Sequence, residues 1–244
     1  MVLDGMEILI MNQCPNMKVH FVRYADDFIV TAPTKEIAEQ LKELICGFLL
    51  ERGLELSEEK TAITHIDDGF DFLGWCVRKY NGKLQMKPSK SSIQRLTQKV
   101  RYTIQKAAAW TQDQLIDALN PVIIGWTNYH KHVVSKATFQ RMDAVMWNML
   151  WRWAKRRHSQ KGHQWIARRY WHTERTRNWV FKSETKKLAL FADTKIWRRS
   201  MVKLEMNPYL DKEYFLKRID SLNRVTTTQT KLTYFAVCRP KFGL

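Results

Sequence analysis

Phe21-Val22-Arg23-Tyr24-Ala25-Asp26-Asp27-Phe28-Ile29-Val30-Thr31-Ala32 decides how the first third of this 244-residue chain is read. Val19 to Tyr24 and Phe28 to Ala32 are β-branched and aromatic runs, which predict two strands. The acidic pair Asp26-Asp27 falls between them, at a hairpin tip. An isolated acidic pair in a turn is most often only a solvated turn, because Asp favours such sites. Here hydrophobic strands on both sides would present the two carboxylates rigidly at the edge of a sheet. Carboxylates so placed suit a hard divalent cation such as Mg²⁺, which can clamp the oxygens of a phosphoryl transfer.

Outward from the hairpin, Met1 to Met11 has the pattern of the tail of a helix. After it, Thr34 offers an N-cap, and Ile37, Ala38, Leu41, Leu44, Ile45, Phe48 and Leu49 keep helical spacing up to a stop at Gly53. Leu54-Glu55-Leu56 and Ala62-Ile63-Thr64 read as short strands. Phe70 to Val77 reads as one extended segment that turns at Asn81-Gly82 into Leu84-Gln85-Met86. Strand, strand, helix and further strands predict an α+β sheet domain over residues 1–87.

From Pro88 the pattern turns helical. Ile93, Leu96, Val100 and Ile104 keep the period, and Thr111-Gln112-Asp113-Gln114 is a capping box that opens a second helix through Leu119. Pro121 and Gly125 are expected to kink or end it. A third helix is expected from about Lys136 to Arg157, with Phe139, Met142, Val145, Met146, Met149, Leu150 and Trp153 inward; this Met and Trp stripe reads as core. Beyond Gly162 the pattern weakens, a short helix is expected near residues 212–222, and Thr226-Thr227-Thr228 resembles a linker.

Charge divides the chain unevenly. Residues 1–87 hold 10 Lys and Arg against 14 Asp and Glu, whereas residues 131–203 hold 19 against 4, within a total of +17. A field of that sign attracts polyanions. A merely solvated basic face is the alternative. Against it, Trp147, Trp151, Trp153, Trp165, Tyr170, Trp171, Trp179 and Trp197 are interleaved with the cations, the mixture that unpaired RNA bases and phosphates require. Arg152, Lys155, Arg156, Arg157, Lys161, Arg168, Arg169, Arg175 and Arg177 are the RNA-binding candidates. His158 adds to that surface rather than to catalysis. Four scattered cysteines, the lack of a long apolar run and the acidic residues in the first ten positions suggest a soluble protein with reduced thiols and no membrane partner. The expected compartment is the cytoplasm of a bacterial-type cell, with an organelle as the other setting.

Taken in order, these segments resemble a known family. Phe21 to Phe28 resembles the palm motif of reverse transcriptases. Gly53-Leu54-Glu55-Leu56-Ser57-Glu58-Glu59-Lys60-Thr61 is similar to the motif that follows it, and Phe70-Asp71-Phe72-Leu73-Gly74-Trp75 to the segment that grips the primer. Asn120-Pro121 with Gly125-Trp126-Thr127-Asn128-Tyr129 resembles the thumb, or maturase, signature of group II intron proteins. The resemblance implies a partial palm, an antiparallel sheet with one or two helices, over residues 1–87. An all-α thumb and maturase domain over residues 88–203 would follow, then a truncated linker toward a DNA-binding region over residues 204–244. It implies that Asp26 and Asp27 are catalytic metal ligands for Mg²⁺. Tyr24, Ala25, Lys60, Phe72, Leu73 and Gly74 would lie at nucleotide or primer, although Lys60 reads equally well as a solvated lysine. Group II intron RNA would be the partner, together with a DNA primer or target.

The same resemblance predicts a third aspartate on an earlier strand, and nothing upstream of Asp26 fits it. Fingers and first palm strand are therefore expected to be missing and the Mg²⁺ site weak, with no DNA synthesis by the isolated chain. Three readings stay open: a maturase that assists splicing, a split polymerase completed by an upstream polypeptide or by a homodimer, and a non-catalytic RNA-binding remnant.

Overall fold

The computed structural model describes residues 3–15, 17–174, 177–197, 211–214, 234–238 and 240–241. It divides into two compact units, residues 1–85 with 224–244 and residues 86–223. The fold is mixed α+β, and no helix among the described residues is long and apolar enough to cross a membrane.

In chain order the first unit contains α1 (Met6–Gln13), β1 (His20–Tyr24), β2 (Asp27–Ala32), α2 (Lys35–Leu50), β3 (Glu55–Leu56), β4 (Ala62–His65), β5 (Phe70–Phe72), β6 (Trp75–Tyr80) and the start of β7 (Lys83–Pro88). The Thr34 side chain accepts the Ile37 N–H, a cap that fixes where α2 begins. α2 then lays Ala38, Leu41, Ile45, Phe48 and Leu49 against Phe21, Phe28, Val30 and Ala32 of the hairpin, with Leu3, Met6 and Ile10 closing the core. Each large side chain buried this way contributes about 1.5–3 kcal/mol, which makes the period-2 face of the hairpin and the period-3.6 face of α2 one cooperative unit.

The other face of β2 carries Ile29, packed with Ile66 and Phe72. β2 is thus buried on both sides from Phe28 to Ala32.

Two features of this unit depart from the sequence reading. Phe70 to Val77 is not one extended segment but a tight hairpin, with Phe72 opposite Trp75 and a two-residue turn at Leu73 (φ +49°) and Gly74 (φ +80°). Paired positive φ values match the right-handed twist of a two-residue hairpin, and Gly74 supplies one without strain. The end of the chain also returns to the sheets. Residues 234–238 (β10) lie between β2 and β4, giving the order β1-β2-β10-β4, and Pro240–Lys241 (β11) pairs with β3. The segment expected to be a linker over residues 204–244 therefore contains strands, while Thr226 to Thr228 and most of the helix expected near residues 212–222 lie outside the described residues.

The second unit holds α3 (Lys90–Lys106), α4 (Gln112–His130), α5 (Lys136–Arg157), α6 (His163–Tyr170), β8 (Trp171–Glu174) and β9 (Arg177–Phe181). Its second half is not all-α: β8 and β9 form a hairpin with a register shift between His172 and Glu174. Its Trp171, Val180 and Phe181 are buried, so the hairpin closes the helical core rather than standing apart from it.

α4 continues past Pro121 and Gly125 to His130, so neither residue ends it. A proline inside a helix costs about 3 kcal/mol. The face Leu115, Ile116, Leu119, Ile123 and Thr127 is buried on both sides of it, which offsets that cost several times over. A polar knot fastens α4 to α3. His130 Nε2 lies 3.1 Å from Ser92 Oγ, the Trp126 indole N–H donates to the same oxygen (3.2 Å), and Ser135 Oγ donates to the His130 carbonyl. Burial holds the His130 imidazole well below its usual value, at about 4.

Candidate nucleic-acid interface

The acidic hairpin turns in two residues. Tyr24 pairs with Asp27, so Ala25 and Asp26 alone make the turn, and Ala25 sits at φ +55°. Asp26 occupies the tip and is exposed; Asp27 is the first residue of β2 and is half-buried. Alternation along the pair puts Asp27 on the same face as Tyr24, Val22 and Ile29, opposite the face covered by α2. Tyr24 and Val22 are exposed there, so this face of the tip is open. Ile29 packs on Phe72, with Leu73 beside it. The predicted primer-gripping segment, which belongs to a separate three-stranded sheet of β5, β6 and β7, thus packs on the face of β2 that also carries Asp27.

Lys60 ends a 3-10 turn, Glu58–Lys60, immediately before β4. β4 runs parallel to β2 across the intervening strand, with Ala62 level with Ile29. Lys60 therefore lies at the same end of the sheet as Asp27, about two strand spacings, or roughly 10 Å, to the side. It is exposed and has no ion pair among the described residues. The hydroxyls of Ser57 and Thr61 on either side of this turn are buried without a hydrogen-bond partner among the described residues. Nothing in the sequence pattern marked those two hydroxyls.

The oxygen donors at Asp26 and Asp27 are of the kind that suits a hard divalent cation. Their number is small: among the described residues no group of three or more His, Cys, Asp or Glu could hold a metal ion.

In the basic stretch the candidates separate by what they touch. Arg152, Lys155, Arg156, Lys161, Arg168 and Arg169 are exposed and make no ion pair among the described residues. Arg157 is committed internally: its Nη1 donates to the carbonyls of Ala108 (2.8 Å) and Trp110 (2.7 Å), and its guanidinium lies 4.8 Å from the Trp153 ring centre. Arg177 pairs with Asp193 at 2.6 Å. Arg175 lies outside the described residues. His158 hydrogen-bonds the Tyr170 hydroxyl (2.8 Å), and burial, then Arg157, Arg169 and Lys161, hold it below its usual value.

The tryptophans divide as well. Trp153 and Trp171 are core, and the half-buried Trp147 and Trp151 stack at 5.3 Å and 9°. Trp165, Trp179 and Trp197 are exposed. Trp179 meets both Trp147 and Trp151 edge-on from a left-handed backbone position, φ +63°. One cation falls outside the stretch singled out by charge. Arg101 on α3 is exposed and faces the arginines of α5; the signal for it was that α3 has five Lys and Arg and no acidic residue.

Comparison with known proteins divides the chain at nearly the same place. Residues 1–77 match the model of the reverse transcriptase (RNA-dependent DNA polymerase) family, and residues 93–171 that of the group II intron, maturase-specific domain. Two relatives, both group II intron-encoded protein LtrA, one from Lactococcus lactis subsp. cremoris and one from its strain MG1363, are each 37% identical over 90 residues. The match covers 33% of this chain and 15% of the length of those relatives.

Proposed function

Because the chain belongs to the group II intron reverse transcriptase and maturase family, we propose that it binds group II intron RNA and assists its splicing. The observation that carries this reading is the succession, in one chain, of a reverse transcriptase segment and a maturase-specific domain. Residues 1–87 are then the later part of a polymerase palm and residues 88–203 a thumb and maturase region. The exposed cations of that second part that make no ion pair, Arg152, Lys155, Arg156, Lys161, Arg168 and Arg169, hold phosphates, while exposed Trp179, and Trp165 on the side away from Lys161, offer ring surface to unpaired bases.

In this reading Asp26 and Asp27 are the metal-binding part of an RNA-directed DNA polymerase site. Magnesium bound there would neutralise charge developing on the transferred phosphoryl group. The hairpin's part is positional: a two-residue turn and a doubly buried β2 hold both carboxylates at a fixed sheet end. Phe72, Leu73 and Gly74 form the turn against which a primer strand rests, and Lys60 supplies a cation at the same sheet end for the departing pyrophosphate. Two carboxylates are too few for a metal pair, so DNA synthesis needs further ligands from other residues or from another polypeptide.

The test is splicing of a group II intron transcript at near-physiological Mg²⁺ with and without the purified chain. Acceleration of splicing, together with tighter binding of the intron than of an unrelated structured RNA, is expected. Binding of both RNAs alike with no gain in splicing would reduce the protein to a general RNA-binding module.

A further inference from the structure

α3 and α5 enclose a cavity of about 290 Å³ whose walls differ in character. Ile104, Met149 and Trp153 make an apolar floor, while Arg101, Arg152 and Arg156 stand around the rim. Arg157 closes one end, fixed by its two bonds to backbone carbonyls. None of the three rim arginines has a hydrogen bond or ion pair among the described residues. The sequence leaves them no local partner either. α3 has no acidic residue, and the single acid of α5, Asp143, accepts the N–H groups of Phe191 and Ala192.

Three guanidinium groups around one concave apolar surface repel one another and focus positive potential into it, an arrangement that an anion relieves. A planar guanidinium matches phosphate oxygens two at a time. The apolar floor adds a requirement that a bare phosphate does not meet. The volume lies near the lower end of small-molecule pockets, roughly 300–1,000 Å³: room for one nucleotide-sized group and too little for a duplex. Unpaired RNA presents that combination, a base free to leave the stack and the phosphate attached to it.

We infer that the cleft between α3 and α5 takes a single unpaired nucleotide of bound RNA, its base against Ile104, Met149 and Trp153 and its phosphate on Arg101, Arg152 and Arg156. This rests on the RNA-binding reading above and narrows it to a preference for unpaired strands at a site that extends beyond the basic stretch onto α3.

The test compares the full chain with two variants for binding to a labelled single-stranded RNA and to a duplex of the same sequence. Arg101→Gln removes a rim cation, and Ala108→Leu narrows the cavity mouth without changing charge. Each is expected to weaken single-strand binding about tenfold, the loss of one charge-assisted contact or of the base's seat, and to change duplex binding less than twofold. Both alter exposed side chains, and unchanged melting temperatures will verify their folds. A free nucleoside monophosphate should compete with the single strand better than inorganic phosphate does. Undiminished single-strand binding by both variants, or equal losses on single strand and duplex, would overturn the cleft while leaving general RNA binding intact. Failure of the unaltered chain to bind either RNA would overturn the RNA reading itself and the cleft with it.

Discussion

Ala25 carries the local tension of the acidic hairpin. A non-glycine residue in the left-handed region costs about 1–2 kcal/mol, and Ala25 sits there at φ +55° because a two-residue loop between twisted strands requires it. Leu73 occupies the same region at φ +49°, but packs against the Ile29, Ile66 and Phe72 cluster, so trimming it would exchange strain for lost burial. Ala25 is exposed and has no such compensation. Replacing Ala25 by glycine should therefore raise stability by roughly 0.5–1 kcal/mol, the strain relieved less the extra freedom of the unfolded chain. Denaturant unfolding would measure it, and a loss of stability would show that the methyl makes a contact that outweighs the strain.

Whole elements were legible in the sequence where local chemistry and burial agree, as in α2 and α5. The Thr34 cap and the apolar stripe specify the same helix, and of the stripe from Phe139 to Trp153 all but Val145 and Met149, which are half-buried at its flanks, are buried as the periodicity predicts. The acidic hairpin was legible for the same reason. Where local and tertiary terms compete the sequence was a poorer guide: Pro121 forbids one hydrogen bond, yet the buried face of α4 passes through it. Long-range pairing was invisible, since no local pattern says that residues 234–238 lie beside β2, or that Arg157 spends its donors on backbone carbonyls near α3.

The knot between α3 and α4 shows the same dependence and has a consequence in pH. His130 is buried with its value lowered to about 4 from 6.5, so between those values the unfolded chain binds a proton that the folded one refuses. Its contribution is then full above pH 6.5 and is lost as pH falls toward 4, by roughly 3 kcal/mol at 1.36 kcal/mol per unit. Asp143, raised by burial, acts with the opposite sign as pH falls, so the comparison must be with His130→Gln. The variant should be less stable at pH 7, and the gap should shrink as the pH is lowered from 7 to 4. A gap independent of pH would show that His130 acts through packing alone.

For the whole molecule, charge is the organising quantity. Residues 1–87 carry four more acids than bases, while residues 131–203 carry fifteen more bases than acids. The field of the second region is therefore the one that attracts a polyanion, whichever chemistry the first supports. The exposed cations there act as a group, because each phosphate they neutralise releases condensed counterions. Replacing Arg168 and Arg169 by glutamine, both exposed and without ion pairs among the described residues, removes charge without breaking a bond that holds the fold. The slope of log affinity against log salt should fall by about 0.7 per lost contact on a single strand and about 0.9 on duplex. Melting temperature should hold, which separates this set from Arg157, whose loss would also free two carbonyls near α3. An unchanged slope with unchanged affinity would mean that phosphates are held elsewhere on the molecule, and that the surplus charge of residues 131–203 serves solubility rather than binding.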